Sequence, residues 1–466
     1  MQMKKIITCY PPVLAACICL FACSKQTDAP EEKLDSAKLI TTISLKDIDP
    51  ARISAEIKGD TFLFSIPGNL SLSAITPVIT FKGTSIQPAS GISQEFDNPV
   101  KYIVTAQNGS KKEYVVKIVR RKVLYIGGRS IMALDTKDGK LLWQGTERGD
   151  YGYSNPLLHN NVLYAGSAGA NTNLYAHNSN TGSILWKFTL GAGGIEGPPM
   201  IYGNTLYVGC NDSYLYAFDL GTTSEKWRFK TGANVSTQPV NYGRTVIFGS
   251  SDGYVYAVDT ATASVVWRYP TGGVIGSSSP RLSNGVVFVG DRNGYLHAVD
   301  ASTGSNKWKY YTGISMEKAE VAVSNGTIYT AGWYSLPIRG GIPGSLYAID
   351  ENTGKLNWES LKNLGFSGRL RLNNNIIYVS ADDGYFYAVN AANGNVLWRK
   401  YILPNGAGAA VADHTVYVGG GGTRYLYALD AITGDEKWKY PIEELLVSYP
   451  AVGRKAEDKV KISVGL

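Results

Sequence analysis

Residues 345–358 read SLYAIDENTGKLNW, and a similar phrase, YVYAVDTATASVVW, occupies 254–267. A third version, FYAVNAANGNVLW, fills 386–398. Aligning the chain on the closing tryptophan yields eight copies, with Trp143, Trp186, Trp227, Trp267, Trp308, Trp358, Trp398 and Trp438 at the end of each. An alanine stands ten residues before every one: Ala133, Ala176, Ala217, Ala257, Ala298, Ala348, Ala388 and Ala428. The interval is 40–43 residues, except for a step of 50 between Trp308 and Trp358. Of nine tryptophans only Trp333 stands outside this register.

A period near forty made of strand-like pieces is the signature of a β-propeller with one four-stranded blade per repeat. The fourth copy divides into STQPVNY, TVIFGS, YVYAVD and SVVWRY, joined by turn residues such as Asp252-Gly253. Composition agrees, with 52 Gly and 31 Tyr among 466 residues and only 18% charged residues, which suits short strands and tight turns. The fold class expected is all-β, an eight-bladed propeller over 121–466. The first blade opens at KVLYIGG with no inner strand before it, so VSYPAV (447–452) is expected to supply that strand and close the ring. The run KVKISVG (459–465) has no place in this scheme.

Each repeated residue has a physical task. A buried indole removes about 150–250 Å² from water, an upper value of roughly 4–6 kcal/mol. Eight of them at equal spacing can bridge neighbouring blades, and the alanine must stay small for another group to approach. The pattern Ala-x-Asp-x-x-Thr-Gly-x-x-x-Trp resembles the tryptophan-docking motif of quinoprotein-type (PQQ-like) propellers. The resemblance implies that each Trp docks onto the Gly and Ala region of the next blade. Gly139, Gly182, Gly304, Gly354, Gly394 and Gly434 match the glycine, whereas Thr223 and Ala263 replace it in the third and fourth blades, where docking is expected to be looser.

The N-terminal quarter differs. Lys4 and Lys5 precede an uncharged, proline-broken run too short for a comfortable membrane span. It ends LFAC and gives way to SKQTDAPEEK, which resembles a bacterial lipobox. That resemblance implies a lipoprotein signal peptide over 1–22, lipidation of Cys23 and a flexible tether over 23–37. Loss of residues 1–22 removes Cys9, Cys17 and Cys19 and leaves Cys210 as the one free thiol. It also removes two lysines, so the net charge falls from +7 to +5, a weak attraction for any anionic partner. Residues 38–120 alternate with period two around a hairpin signal at 107–110. The wording ITP, PASGI, NPVKYIVTAQNG and a final YVVKI resembles the immunoglobulin-like modules of Bacteroidetes-type surface lipoproteins, which implies a small Ig-like β-sandwich acting as a spacer.

Catalytic chemistry is not apparent. Cofactor-using quinoprotein relatives add a vicinal cysteine pair, calcium ligands and often a haem-attachment motif, none of which this sequence carries. No cofactor and no metal site is expected. His177 and His297 fall at repeat positions otherwise filled by Val, Leu, Ile, Phe or Tyr and read as structural, while His159 and His414 lie in turns. Six tryptophans are followed by Lys or Arg, a placement that deters edge-to-edge strand pairing. No basic cluster interleaved with aromatics points to nucleic acid.

Departures from the repeat carry the functional signal. The long step lies in the sixth blade, where an insertion brings Trp333, Tyr334 and Arg339, residue types that dominate binding hot spots. That loop shares a face with the connections between blades, which contribute Tyr151, Tyr153, Glu196, Gln238, Lys318, Glu320 and Arg369. The expectation is a monomeric, non-enzymatic outer-membrane lipoprotein, periplasmic or surface-facing, whose propeller face binds a protein or glycan. An outer-membrane assembly scaffold is one version, since the repeats resemble those of the propeller lipoproteins of β-barrel assembly. The alternatives are a glycan-binding or glycan-processing surface protein and a PQQ-dependent dehydrogenase.

Overall fold

The computed structural model describes residues 36–453 apart from 47, 49, 51–52, 69–71, 148–150, 152–153, 169–171, 333–343, 367–369, 405–407 and 443–449. Two compact units part between Lys122 and Val123. The described secondary structure is β-strand throughout, apart from isolated turns.

In the first unit a five-stranded sheet runs Ser54–Lys58, Thr61–Pro67, Lys111–Arg121, Val100–Thr105, Ser85–Gln87. Its central pair is parallel, with Phe62 beside Val116 and Phe64 beside Ile118. A second layer pairs Leu39–Leu45 with Pro77–Lys82. Alternate residues of both layers, among them Ile40, Ile43, Phe62, Phe64, Tyr102 and Val116, share one core. The hairpin at 107–110 closes through the Ala106 amide on Ser110 O at 2.9 Å, with Gly109 at φ 77°.

The second unit holds eight four-stranded antiparallel sheets. Blade 4 is representative, with strands Val240–Tyr242, Thr245–Gly249, Tyr254–Asp259 and Val265–Pro270 from the inside outward. Blade 1 is composite. Its strands Val123–Gly127, Ile131–Asp135 and Leu141–Gln144 receive their inner partner, Ala451–Gly453, from the other end of the chain, with Tyr125 opposite Ala451. The sequence places that strand within VSYPAV; residues 447–449 and 459–465 lie outside the described residues.

The repeated alanine is explained by a rung that crosses three strands. In blade 3, Tyr207 on the second strand lies opposite Ala217 on the third, and Ala217 lies opposite Trp227 on the fourth. A methyl at the middle position lets the outer two rings meet above it, with centroids 5.7 Å apart. Phe288 and Trp308, Tyr378 and Trp398, and Tyr417 and Trp438 repeat this at 5.7–6.0 Å. One residue past each alanine the register slips by a bulge. Bulges bend a strand and re-aim side chains, and here the bulge precedes every docking indole.

Between blades, Trp143 lies on Gly182 and Trp267 on Gly304, and the series continues with Trp308 on Gly354, Trp358 on Gly394 and Trp398 on Gly434. A Cβ added at any of these glycines would fall 2.4–2.8 Å from an indole carbon, and all have φ between 69° and 77°. Each of these indoles also donates its N–H to a carbonyl of the next blade, as Trp308 does to Glu351 O at 3.0 Å. Thr223 and Ala263 hold the same left-handed conformation, at φ 51° and 57°. There Trp227 keeps its bond to Thr260 O at 3.0 Å, whereas Trp186 has no such bond among the described residues.

Candidate functional site

Two sets of loops meet on one face of the propeller: the hairpins between second and third strands, and the connections from each fourth strand to the next blade. In blades 3 and 4 one carboxylate ties them together. In blade 4, Asp252 Oδ1 accepts the Tyr254 amide at 3.1 Å. Its Oδ2 accepts the Tyr256 hydroxyl and the Gly232 amide, both at 2.8 Å. Gly232 lies in the connection that enters the blade. Asp212 repeats the arrangement in blade 3 with Tyr214 N, Tyr216 Oη and Gly191 N. Burial, followed by the carboxylate that accepts their hydrogen bonds, pushes the Tyr216 and Tyr256 phenols upward. In these two blades a single acceptor holding three donors couples the hairpin to the entering connection.

Blade 5 solves the same problem differently. His297 stands where the tyrosine would be, and its Nε2 meets Asp291 Oδ2 at 3.1 Å. Its Nδ1 meets the Tyr269 hydroxyl of blade 4, also at 3.1 Å. Both His297 and Asp291 are buried. The next residue, Arg292, pairs with Glu317 of the connection leaving the blade.

Of the residues the sequence nominated, several are pinned across blades on this face. Glu196 Oε1 accepts Asn211 Nδ2 at 2.9 Å, and Asn211 Oδ1 accepts Ser236 Oγ at 2.7 Å. Glu320 pairs with Arg281, whose Nε donates to Val321 O at 3.1 Å. The Gln238 amide donates to Ser279 Oγ at 2.9 Å, and its side chain reaches Pro199 O at 3.4 Å. Lys318 is exposed. Tyr151 requires a correction: it is fully buried, packed 5.3 Å from the Tyr175 ring, and offers a partner no surface. Cys23, Tyr153, Trp333, Tyr334, Arg339 and Arg369 lie outside the described residues.

Among the described residues, two that were not nominated are large hydrophobic side chains more than half exposed near this face. Tyr311 is 59% exposed and Tyr401 55%. Each closes a fourth strand beside the hairpin of its own blade, Tyr311 next to Gly294 and Tyr401 next to Gly384. Each leans on a second tyrosine carrying a cation: Tyr311 on Tyr295 at 4.9 Å with Lys309 above it, Tyr401 on Tyr385 at 5.2 Å with Arg399 above it. They belong to blades 5 and 7 and so flank the blade that carries the insertion. The signal was present in the aligned repeats, where the third residue past the tryptophan is Tyr only in these two copies.

The same cation–π contact recurs as Arg228 over Tyr214, Arg268 over Tyr254 and Lys439 over Tyr425, at 5.1–5.4 Å. Where the tyrosine is serine, the residue after the tryptophan is also changed. Gln144 Nε2 donates to Ser130 Oγ at 2.7 Å in blade 1, and a hydrogen bond from Ser345 lowers the Glu359 carboxyl in blade 6. Five of the six basic residues read from sequence as guards of the edge are thus also one half of a pair with a tyrosine of their own blade.

Residues 170–320 and 312–442 match the family described as outer membrane protein assembly factor BamB, and 40–118 match that described as SGBP, N-terminal. BamB from Moraxella catarrhalis superposes with a TM-score of 0.52 at 20% identity, covering 66% of this chain and 88% of its own. A computationally designed protein, Ika8, gives 0.52 at 15%, covering 73% and 93%. A quinohemoprotein alcohol dehydrogenase from Pseudomonas putida HK5 gives 0.50 at 16%, covering 66% and 69%. Quinoprotein ethanol dehydrogenase of Pseudomonas putida is 42% identical over 57 residues, which span 12% of this chain and 9% of that enzyme. The residues here do not fit the quinone of such enzymes in the form the sequence resemblance implies. Cys210 is fully buried, burial pushes its thiol up to about 12, and its sequence neighbours are Gly209 and Asn211 rather than a second cysteine.

Proposed function

The chain belongs to the family described as outer membrane protein assembly factor BamB, and on that premise we propose that it is a non-catalytic surface or outer-membrane lipoprotein whose propeller face binds a protein partner. In this reading residues 1–22 are a signal peptide, Cys23 carries lipid, 23–37 are a tether and 38–120 a spacer that holds the propeller away from the bilayer. The single observation that carries it is the pair Tyr311 and Tyr401. Both are more than half exposed, on either side of the insertion-bearing blade, and each packs on a second tyrosine of its own blade. Rigid aromatic anchors lose little entropy on binding, and they dominate contact energies.

Co-purification of the full chain with components of the β-barrel assembly machinery, abolished in Tyr311→Ser/Tyr401→Ser, is the expected result. Retention of all partners by that variant would overturn the assignment of the face. A second reading, glycan binding, is favoured by the match of 40–118 to the N-terminus of surface glycan-binding proteins. Glycan-array binding by the wild type, with no assembly component retained, would select it.

A further inference from the structure

The opposite face of the propeller carries the two-residue hairpins that join each first strand to its second, together with the turns between third and fourth strands. The residue that ends the first strand pairs across its hairpin, as Tyr202 does with Thr205 and Tyr242 with Thr245. In blades 2, 3 and 4 this residue is His159, Tyr202 and Tyr242, whereas blades 5 to 8 have Ser, Ser, Asn and Ala. The fold asks for no ring there, because four blades close the same hairpin without one. Tyr202 is 47% exposed and Tyr242 37%. Blades 3 and 4 share a core through Tyr207, Val246 and Phe248, so the two rings stand on sheets firmly joined to each other.

Polar groups are held beside these rings. Arg244, two residues past Tyr242, lies 3.5 Å from Asp259 Oδ2 with its side chain 80% exposed. The Tyr242 hydroxyl reaches the hairpin of blade 5, where a Cβ added at Gly285 would lie 3.9 Å from it. The residue before that glycine, Asn284, is exposed, and its Nδ2 donates to Glu351 Oε1 of blade 6 at 3.1 Å. A carboxylate oxygen accepts, so the amide nitrogen faces it and the amide oxygen is left for another donor. Glu351 is buried, and in the other seven copies its place is taken by Thr, Ser, Leu or Ala. Blade 3 has a simpler version, in which Asn204 Nδ2 donates to Asp219 Oδ1 at 3.1 Å.

We infer that the hairpins of blades 3 to 5 on this face form a binding site for a neutral glycan chain. Tyr202 and Tyr242 are its stacking surfaces, and Arg244 and Asn284 its hydroxyl partners. A pyranose has the matching two-sided chemistry: a C–H face that packs on an aromatic ring, and a rim of hydroxyls that both give and accept. The Arg244 charge is met by Asp259, so the patch does not select an anion. A protein contact is built around a dry apolar centre, but the hairpin residues 203–204, 243–244 and 284–285 are Gly, Asn and Arg. The site uses neither Tyr311 nor Tyr401 and stands whichever partner the other face takes.

Isothermal titration calorimetry of the full chain with soluble xyloglucan, galactomannan, glucomannan and laminarin tests it. The wild type should bind at least one of the four, and Tyr202→Ser/Tyr242→Ser should weaken that binding by about tenfold or more. Tyr202→Phe/Tyr242→Phe keeps both rings and should keep the binding, which separates loss of stacking from loss of fold. Arg244→Ala/Asn284→Ala, on exposed side chains, should weaken it without touching either ring. Tyr311→Ser/Tyr401→Ser should bind as the wild type does. Silence towards all four polysaccharides, indifference to the serine pair, or loss of binding in the phenylalanine pair or in the Tyr311/Tyr401 variant would sink the inference.

Discussion

Trp438 of the last blade lies on Gly139 of the first, and its indole N–H donates to Thr136 O at 3.1 Å. The eighth docking contact is therefore made with the blade where the count began. Substituting Trp438→Ala removes a large apolar contact and a hydrogen bond at the joint between the last blade and the composite first one. Because Trp438 is only partly buried, the expected loss lies below the about 3–5 kcal/mol of a fully buried aromatic. Equilibrium denaturation measures it, and a loss below about 1 kcal/mol would show that the ring does not depend on this joint.

Thr223 and Ala263 sit in the left-handed region where the other six copies have glycine. A side chain there costs about 1–2 kcal/mol, against which glycine loses about 0.4–1 kcal/mol through the freer unfolded chain. Thr223→Gly and Ala263→Gly are therefore expected to stabilise the protein by about 0.5–1 kcal/mol each. Gly354→Ala, which adds a Cβ 2.7 Å from a Trp308 carbon, should destabilise it. Midpoints of urea unfolding decide the sign at each position.

The turn carboxylates make an acid limit. The Ser302 side chain leads the hydrogen bonds that hold Asp300 down to about 2, and the amides of Ile432 and Thr433 do the same for Asp430. A folded pKa below the unfolded one contributes stability that is complete above about pH 4. It is lost as the pH falls through the folded values, toward 2. Both groups are near solvent, so screening keeps the effect modest. Stability measured from pH 5 to 2 should fall less steeply in Asp300→Asn/Asp430→Asn than in the wild type.

The outer strands carry a pairwise prediction. Arg399→Gln alone removes a cation from the Tyr385 face, 4.6 Å away, and should cost about 0.5–1 kcal/mol. Adding Tyr385→Ser recreates the Ser–Gln pair seen in blade 1 and should return part of that loss. A double-mutant cycle with no coupling would show that the contact is incidental.

Blade number, the small alanine and the glycine under six of the indoles were legible because repetition averages away local noise. What the spacing hid were contacts that depend on register. Arg399 and Tyr385 are fourteen residues apart on strands whose pairing slips at the bulge between Ala388 and Val389, so their meeting cannot be counted off the chain. Tyr151 was misplaced for a different reason, since its repeat position was countable. It stands eight residues past Trp143, as Val235 stands eight past Trp227 and Met316 eight past Trp308, and those positions are buried core, so counting from the tryptophan would have placed it. Tyr311 and Tyr401 could have been found by asking which exposed repeat position turns aromatic in two copies only.

The three-residue strand Ala451–Gly453 has a temporal meaning. Its partner Tyr125 is made more than three hundred residues earlier, and every synthesis or export event delivers that partner first. Until the late segment arrives, blade 1 exposes an unpaired inner edge, and the closing loop is among the longest the chain can form. A propeller without residues 451–453 therefore keeps the inner edge of blade 1 open. It becomes a finished object in one last stitch.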